Sequence, residues 1–178
     1  NAKKNIRRHQ QLGDVCLYHP TNKYAQEVAA TPLGKSNGAK CGHGDTLDFA
    51  QRYAIPNDDQ VYVKDGYFCV QNRQICSTSH LRLPGAHNLD NACAAMSAVT
   101  ELNIEVTNEQ YAKGLEGFTG LPHRLKFVAE KDGIKYYDDS ISTTPGSAIA
   151  ALRSFAESKI LILGGASKGA DYAGLAQE

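Results

Sequence analysis

The sequence has no excess of charge of either sign, because 19 Lys and Arg residues face 19 Asp and Glu residues. A net charge of zero argues against a protein that binds nucleic acid or a membrane surface through bulk electrostatics. It also lacks an apolar run as long as a membrane-spanning helix. The hydrophobic fraction of 42% and the charged fraction of 21% are typical of a soluble globular protein rather than a disordered one.

CxxC pairs are absent as well. The chain has an odd number of cysteines, at Cys16, Cys41, Cys69, Cys76 and Cys93. This irregular spacing disfavours a zinc or thiol-redox protein and favours a reducing compartment. Cys69 and Cys93 lie in apolar stretches, so we expect them to be core residues. Cys41 precedes Gly42-His43, but no second ligand pair is nearby, and a surface loop is the better interpretation.

An initiator methionine and a phosphate-binding GxxGK[ST] loop are also missing. The chain begins at Asn1 and ends at Glu178 just after a loop, so we expect it to be part of a longer polypeptide. The stretch from Gly164 to Gly169 has the glycines of a phosphate loop, but it does not match the motif. Lys168 is therefore not a Walker lysine; it is either a partner for a substrate carboxylate or a solvated loop residue.

The first part of the chain contains a hairpin followed by two helices. Alternating apolar residues around Asp65-Gly66 predict a hairpin over 61–70. Helical spacing of Leu89, Ala92, Cys93, Met96, Val99 and Leu102 predicts an amphipathic helix over 88–102. Thr107 and Gln110 form a capping box for a second helix that runs to about Leu115. The connector 117–122, with two glycines and a proline, marks the predicted domain boundary, which divides the chain into 1–118 and 119–178.

The second part has the pattern of an α/β unit. A turn at Lys131-Asp132-Gly133 predicts a hairpin over 127–138. Thr144 and Pro145 predict a helix start, with proline at the first helical position. The run Lys159 to Leu163 is continuously apolar, as expected of a strand buried on both faces of a parallel sheet. Strand, helix, strand and glycine loop predict a βαβ unit with a ligand at the carboxyl edge.

Several polar residues could carry chemistry, and each also has a purely structural interpretation. Asn88 and Asn91 are three residues apart near a helix start, so they share a face that can contact an adenine edge or a ribose. In the structural interpretation, one is an N-cap and the other is a solvated asparagine. Arg124 is either a phosphate clamp or a surface salt-bridge partner.

Carboxylates and hydroxyls follow the second hairpin. Asp138 and Asp139 close a predicted strand and are followed by hydroxyl residues that include Thr143. Such a group can hold a ribose or a hydrated magnesium ion, and it can equally cap the next helix. Lys3 is, from its local sequence, a surface helix lysine.

Five segments together resemble the Mur ligase family, and most closely its branch that adds D-glutamate. They are Ala2-Lys3-Lys4-Asn5-Ile6, His87-Asn88-Leu89-Asp90-Asn91, Phe118-Thr119-Gly120-Leu121-Pro122-His123-Arg124, Asp138-Asp139-Ser140-Ile141-Ser142-Thr143, and Gly164-Gly165 with Lys168-Gly169-Ala170-Asp171-Tyr172. The run that ends in Arg124 is specific to this branch. Ile141 departs from the pattern, because part of the family has a lysine there.

The resemblance implies an α/β fold, with the later part of a central ATPase domain followed by the start of a Rossmann-like C-terminal domain. It implies a cytoplasmic, monomeric, ATP- and Mg²⁺-dependent amide ligase of peptidoglycan synthesis, with UDP-N-acetylmuramoyl-L-alanine and D-glutamate as substrates. ATP would phosphorylate the alanine carboxylate, and the D-glutamate amine would attack the acyl phosphate. The chain alone, without the phosphate-binding loop, is expected to be inactive.

The resemblance also implies roles for individual residues. Lys3 matches a lysine that is carbamylated and helps to hold magnesium. Asn88 and Asn91 match adenine and ribose contacts, Arg124 a hinge arginine that reaches the phosphates, and Asp139 an acid near the ribose. The D-glutamate contacts would be Thr143 and Lys168.

Two alternatives remain open at this point. One is a sister ligase that adds L-alanine or a diamino acid, or that extends the glutamate tail of folate. The other is a non-catalytic nucleotide-binding module that has the cleft without the chemistry.

Overall fold

The computed structural model describes residues 5, 10, 14–30, 50–52 (backbone only), 60–102, 104–166 and 169–178. The predicted positions Lys3, Cys41 and Lys168 lie outside the described residues. The strands are β1 (Cys16–Tyr18), β2 (Ala50–Arg52), β3 (Tyr62–Lys64), β4 (Tyr67–Val70), β5 (Arg73–Ser77), β6 (Lys126–Lys131) and β7 (Ile134–Asp138). The helices are α1 (Lys23–Ala29), α2 (Ala86–Glu101), α3 (Asn108–Gly117) and α4 (Pro145–Leu152), with short 3₁₀ turns at Thr78–His80 and Leu175–Gln177.

The strands form three small sheets. β1 and β2 pair in parallel, β3, β4 and β5 form an antiparallel meander, and β6 pairs with β7 in a hairpin. Both predicted hairpins are confirmed. Each turns on an Asp-Gly pair with positive φ at both residues, 50° and 79° at Asp65-Gly66 and 53° and 77° at Asp132-Gly133. These backbone angles match the right-handed twist of the paired strands.

The core lies between the antiparallel meander and the helices α2 and α3. It is built from Val61, Phe68, Ile75, Cys76, Ala92, Cys93 and Met96. The α2 prediction is confirmed on this face, except that Leu102 follows the last helical residue and is 67% exposed. Cys69 and Cys93 are buried as predicted, and Cys76, for which the sequence predicts no core position, is buried too.

Burial makes Cys93 an unreactive thiol. Desolvation, together with the nearby charge of Asp90, raises its pKa to about 12. At neutral pH the thiolate, the nucleophilic and metal-binding form, is therefore essentially absent.

The capping residues predicted at the starts of α3 and α4 are confirmed. Thr107 accepts from the Gln110 backbone while the Gln110 side chain accepts from the Thr107 N–H, which completes the capping box of α3. Thr144 caps α4 with Pro145 at the first helical position. The three residues of β1 are half-buried.

One predicted strand does not form. Residues 159–163 run without regular structure, and Ile160 and Ile162 are 94% and 91% exposed. The prediction of a buried parallel strand, and of the βαβ unit that it would complete, is wrong for this structure. A strand needs a hydrogen-bonded neighbour, and none of the described residues pairs with this segment.

Among the residues that the structure describes, none of the helices combines the length and apolarity that crossing a bilayer requires.

Candidate nucleotide site

The site is an open cavity of about 550 Å³ lined by α2, α3 and the connector between α3 and β6. Most of its wall is apolar, and polar groups enter it at a few points. Its lining includes Asn88, Asn91, Met96, Gln110, Tyr111, Phe118, Arg124 and Leu125. Its volume lies in the range of small-molecule and cofactor pockets, roughly 300–1,000 Å³, and so does the mixture of apolar wall and few polar groups.

The two predicted asparagines lie on the α2 wall and differ in their surroundings. Asn88 is buried, and its Nδ2 donates to the Pro84 carbonyl at 2.7 Å. Its Oδ1 accepts from Asn91 Nδ2 at 3.2 Å. Asn88 therefore holds the helix start in place, a task left open because Gly85 at the N-cap has no side chain.

Asn91 is the asparagine that faces outward. Its Nδ2 bond to Asn88 orients the amide, and its Oδ1 makes no hydrogen bond to any residue that the structure describes. The pair thus presents one oriented amide edge to the cavity. The carbonyl oxygen and the NH₂ group of the Asn91 amide lie side by side and match the donor and acceptor pattern of a nucleobase edge.

Arg124 reaches the same cavity from the connector. Its backbone N–H donates to the Leu121 carbonyl at 3.3 Å, which closes a turn that contains Pro122. Within the described part of the chain, its guanidinium has no ion pair or hydrogen bond. The surface salt-bridge interpretation therefore finds no support there, and a charged fork beside a cavity suits a phosphoryl group.

Asp139 does not line the cavity itself but is hydrogen-bonded to a residue that does. Its Oδ1 accepts from the Leu125 N–H at 2.9 Å, and Leu125 lines the cavity. Asp139 is half-buried, and its side chain is not part of the wall. Thr143 is exposed in the stretch before α4 and does not line the cavity.

The neighbouring Asp138 contacts the connector as well. Its Oδ2 lies 2.8 Å from His123 Nδ1, and its Oδ1 accepts from the Ser140 N–H at 3.0 Å. Hydrogen bonds from Ser140, and then from His123, lower the pKa of Asp138 from its ordinary value. The carboxylate is therefore ionised at neutral pH.

A second histidine–carboxylate pair fixes the far end of α3. His80 Nδ1 lies 2.7 Å from Glu116 Oε1. The hydrogen bond from His80 lowers the pKa of Glu116. The contact joins the last turn of α3 to the 3₁₀ turn that follows β5.

Two groups of residues at this site carry no sequence signal for a functional role. Gln110 and Tyr111 on α3 and Phe118 directly after it line the cavity, and the only local pattern among them is the capping box of Gln110. His123 and Leu125 flank Arg124 and bind the Asp138-Asp139 pair, and no local pattern could have shown that these segments meet.

No protein-family model matches the chain. Curated relatives do match it, under the name "UDP-N-acetylmuramoylalanine--D-glutamate ligase". The Clostridium perfringens protein is 32% identical over 178 residues, which is 100% of this chain and 36% of the relative. The Clostridium tetani protein is 34% identical over 177 residues, 99% of this chain and 35% of the relative. The Pelotomaculum thermopropionicum protein is 48% identical over 98 residues, 55% of this chain and 21% of the relative.

The chain thus spans about 36% of the length of the first of these relatives. A solved structure, MurF from Acinetobacter baumannii, superposes with a TM-score of 0.58 at 23% identity and covers 84% of this chain and 30% of that one. At this identity the likeness concerns the fold, and it confirms the predicted α/β class. The Clostridium perfringens and Clostridium tetani relatives match along essentially the whole chain at 32% and 34% identity, and on this evidence the chain belongs to the Mur ligase family.

Proposed function

We propose that this chain is the nucleotide-binding part of an ATP-dependent ligase that joins D-glutamate to UDP-N-acetylmuramoyl-L-alanine in peptidoglycan synthesis. The observation that carries the proposal is that Asn91 and Arg124, 33 residues apart, line one cavity in a chain whose relatives have this name. A sister ligase is not favoured, because the relatives that match the full length are named as D-glutamate ligases.

The cavity suits ATP in shape and chemistry. An adenine ring is flat and largely apolar, so it would pack between the Met96 side of α2 and the Tyr111 side of α3. The Asn91 amide would bind the edge of the base or the ribose, while Asn88 keeps it oriented. Arg124 at the connector would then reach the phosphates, where its planar donors match two oxygens at once.

Residues beyond the connector would complete the site. Asp139 uses Oδ1 to bind Leu125, and Oδ2 makes no hydrogen bond to the described residues, so it is available to a ribose hydroxyl. We propose that the boundary after residue 118 separates the ATPase domain from the C-terminal domain. Thr143 and Lys168 would contact D-glutamate from the C-terminal side.

The reaction needs two steps. The carboxylate oxygen of the UDP-linked alanine attacks the γ-phosphorus of ATP and releases ADP, which leaves an acyl phosphate. The D-glutamate amine then attacks the acyl carbon, and an amide forms as inorganic phosphate and a proton leave. The proposed task of Arg124 is to orient the phosphates and offset the charge that accumulates on them.

Magnesium is the part of the proposal for which the described residues supply no site. Within them, no group of three or more His, Cys, Asp or Glu side chains is arranged to hold a metal ion. Lys3, which as a carbamate would be the ligand, lies outside the described residues. The steps above therefore rest on the chain's own groups and on none that a metal would supply.

The test uses the full-length protein that contains this chain. Labelled D-glutamate should be incorporated in the presence of ATP and UDP-N-acetylmuramoyl-L-alanine, and L-glutamate should not. We also propose that the enzyme acts in the cytoplasm and that it is a monomer. Incorporation of L-glutamate in preference to D-glutamate would overturn the proposed substrate.

The arginine is tested separately. Arg124→Ala should raise the KM for ATP roughly ten- to one-hundred-fold, as expected for loss of a charge-assisted contact of about 1.5–3 kcal/mol. The matched control is Arg73→Ala on β5, which removes an exposed arginine outside the cavity. An unchanged KM in Arg124→Ala would remove the arginine from the site.

A further inference from the structure

The connector around Arg124 is held by its neighbours on both sides. His123 precedes the arginine with φ of 62°, and Leu125 follows it with φ of 45°. Residues with a side chain rarely adopt this left-handed conformation, and they do so where surrounding contacts impose it. Two such residues with an arginine between them indicate that the backbone here is constrained from outside the connector.

Three hydrogen bonds impose the constraint, and they come from the last residue of β7 and the turn that follows it. Asp138 binds the His123 ring at 2.8 Å, Asp139 accepts from the Leu125 N–H at 2.9 Å, and the Ile141 N–H donates to the His123 carbonyl at 3.1 Å. We call this set the clasp. It binds both neighbours of Arg124, while the guanidinium itself has no partner in the described part of the chain.

We propose that the clasp is a positioning device for the proposed nucleotide site: Asp138, through His123, and Asp139, through the Leu125 amide, keep Arg124 at the edge of the cavity. Asp138 is thus a positioning residue that does not itself contact the nucleotide. The inference rests on the proposed function. It adds that the orientation of Arg124 is set from the hairpin beyond the connector.

The arrangement has a physical rationale. Binding a nucleotide must order the Arg124 side chain, and with a flexible connector it would also have to order the backbone around it. Because the clasp fixes the backbone on both sides of Arg124 beforehand, binding loses less conformational entropy. Lys126 supports the same loop, since its Nζ donates to the Thr119 carbonyl at 3.2 Å.

A double-mutant cycle on the full-length enzyme tests the clasp. Asp138→Ala should raise the KM for ATP roughly tenfold, while the KM for the amino acid stays the same. Arg124→Ala combined with Asp138→Ala should be no worse than Arg124→Ala alone, within about twofold, because the clasp acts only through the arginine. If the two effects multiply, Asp138 acts independently of Arg124 and the proposal is overturned.

Two further variants serve as checks. His123→Ala should reproduce Asp138→Ala, and it replaces that variant if Asp138→Ala fails to fold. Glu130→Gln on β6 is the charge control, because it also removes one carboxylate charge from the hairpin but lies outside the clasp. A rise in the KM for ATP in Glu130→Gln equal to that in Asp138→Ala would show a charge effect and refute the clasp.

A second measurement does not depend on catalysis. In the full-length enzyme, the backbone amides of residues 120–126, apart from Pro122, should exchange hydrogen faster in Asp138→Ala than in the unmodified protein. Unchanged exchange would overturn the clasp whatever the kinetics show. If exchange rises but the unmodified enzyme does not ligate D-glutamate, the proposed function fails while the clasp stands.

Discussion

Replacing Ser97 with alanine tests how the helix that carries both asparagines is attached to the sheet. Ser97 is fully buried on α2, and its Oγ accepts from the Val61 N–H at 3.0 Å. Val61 is also fully buried and comes directly before β3. The hydroxyl therefore satisfies a backbone donor that water does not reach.

The expected loss of stability follows from that bond. Leaving a buried N–H without a partner costs about 1–3 kcal/mol. Alanine has a better helix propensity than serine, which returns about 0.5 kcal/mol. The net loss is about 0.5–2.5 kcal/mol, which for a chain of this size lowers Tm by roughly 1–10 °C.

Thermal unfolding of the 178-residue chain, followed by circular dichroism, measures the effect. The control is Thr100→Ala, one turn further along α2. This hydroxyl is exposed and donates to the Met96 carbonyl, so its loss leaves no buried group unpaired. Thr100→Ala should change Tm little or raise it. If Ser97→Ala is as stable as Thr100→Ala, the buried bond does not hold α2 to the sheet, and the reasoning is refuted.

Two further changes probe other contacts. Gly85→Ala should destabilise by about 1–3 kcal/mol, because φ is +94° and the new Cβ would clash with Ser154 Oγ. Gly66→Ala is the control, because Gly66 also has a positive φ, +79°, but has open space around it, so this variant measures the backbone strain without a clash. If both variants lower Tm equally, the contact with Ser154 does not contribute. Glu116→Gln should flatten the acid side of the stability curve. His80 lowers the pKa of Glu116 below its ordinary value of 4.5. The stabilisation of the fold by ionised Glu116 is therefore fully present above pH 4.5 and is lost as the pH falls through the lowered pKa. Tm curves of the two proteins that stay parallel from about pH 6 to about pH 3 would contradict this linkage.

The features that the sequence determined are those with short-range causes. The two Asp-Gly turns, the Thr107 capping box and the Thr144-Pro145 helix start each depend on groups within four residues of one another. Such signals act before the rest of the chain is in place, so a local pattern predicts them. The core face of α2 was predictable for a related reason, because helical periodicity states which side must be buried.

Failures of the sequence-based predictions occur where a segment needs a partner. Residues 159–163 have the composition of a buried strand, yet composition cannot supply the neighbouring backbone that would pair with them. Leu102 fits the periodicity of α2, but the helix ends before it. Cys76 directly follows the buried Ile75 in β5, which the alternation of a strand does not predict, and only the packing of α2 and α3 on the meander shows that it is in the core.

The candidate site divides in the same way. Residue type and motif singled out Asn88, Asn91, Arg124 and Asp139 before any coordinates. Tertiary structure alone brought Asn91 and Arg124 to one cavity, gave Asn88 a structural task and joined Asp138 to His123. The physical reason is that hydrogen bonds and side-chain packing act over a few ångströms in space, whatever the separation along the chain, whereas the patterns in a sequence report only on neighbours within a turn or two.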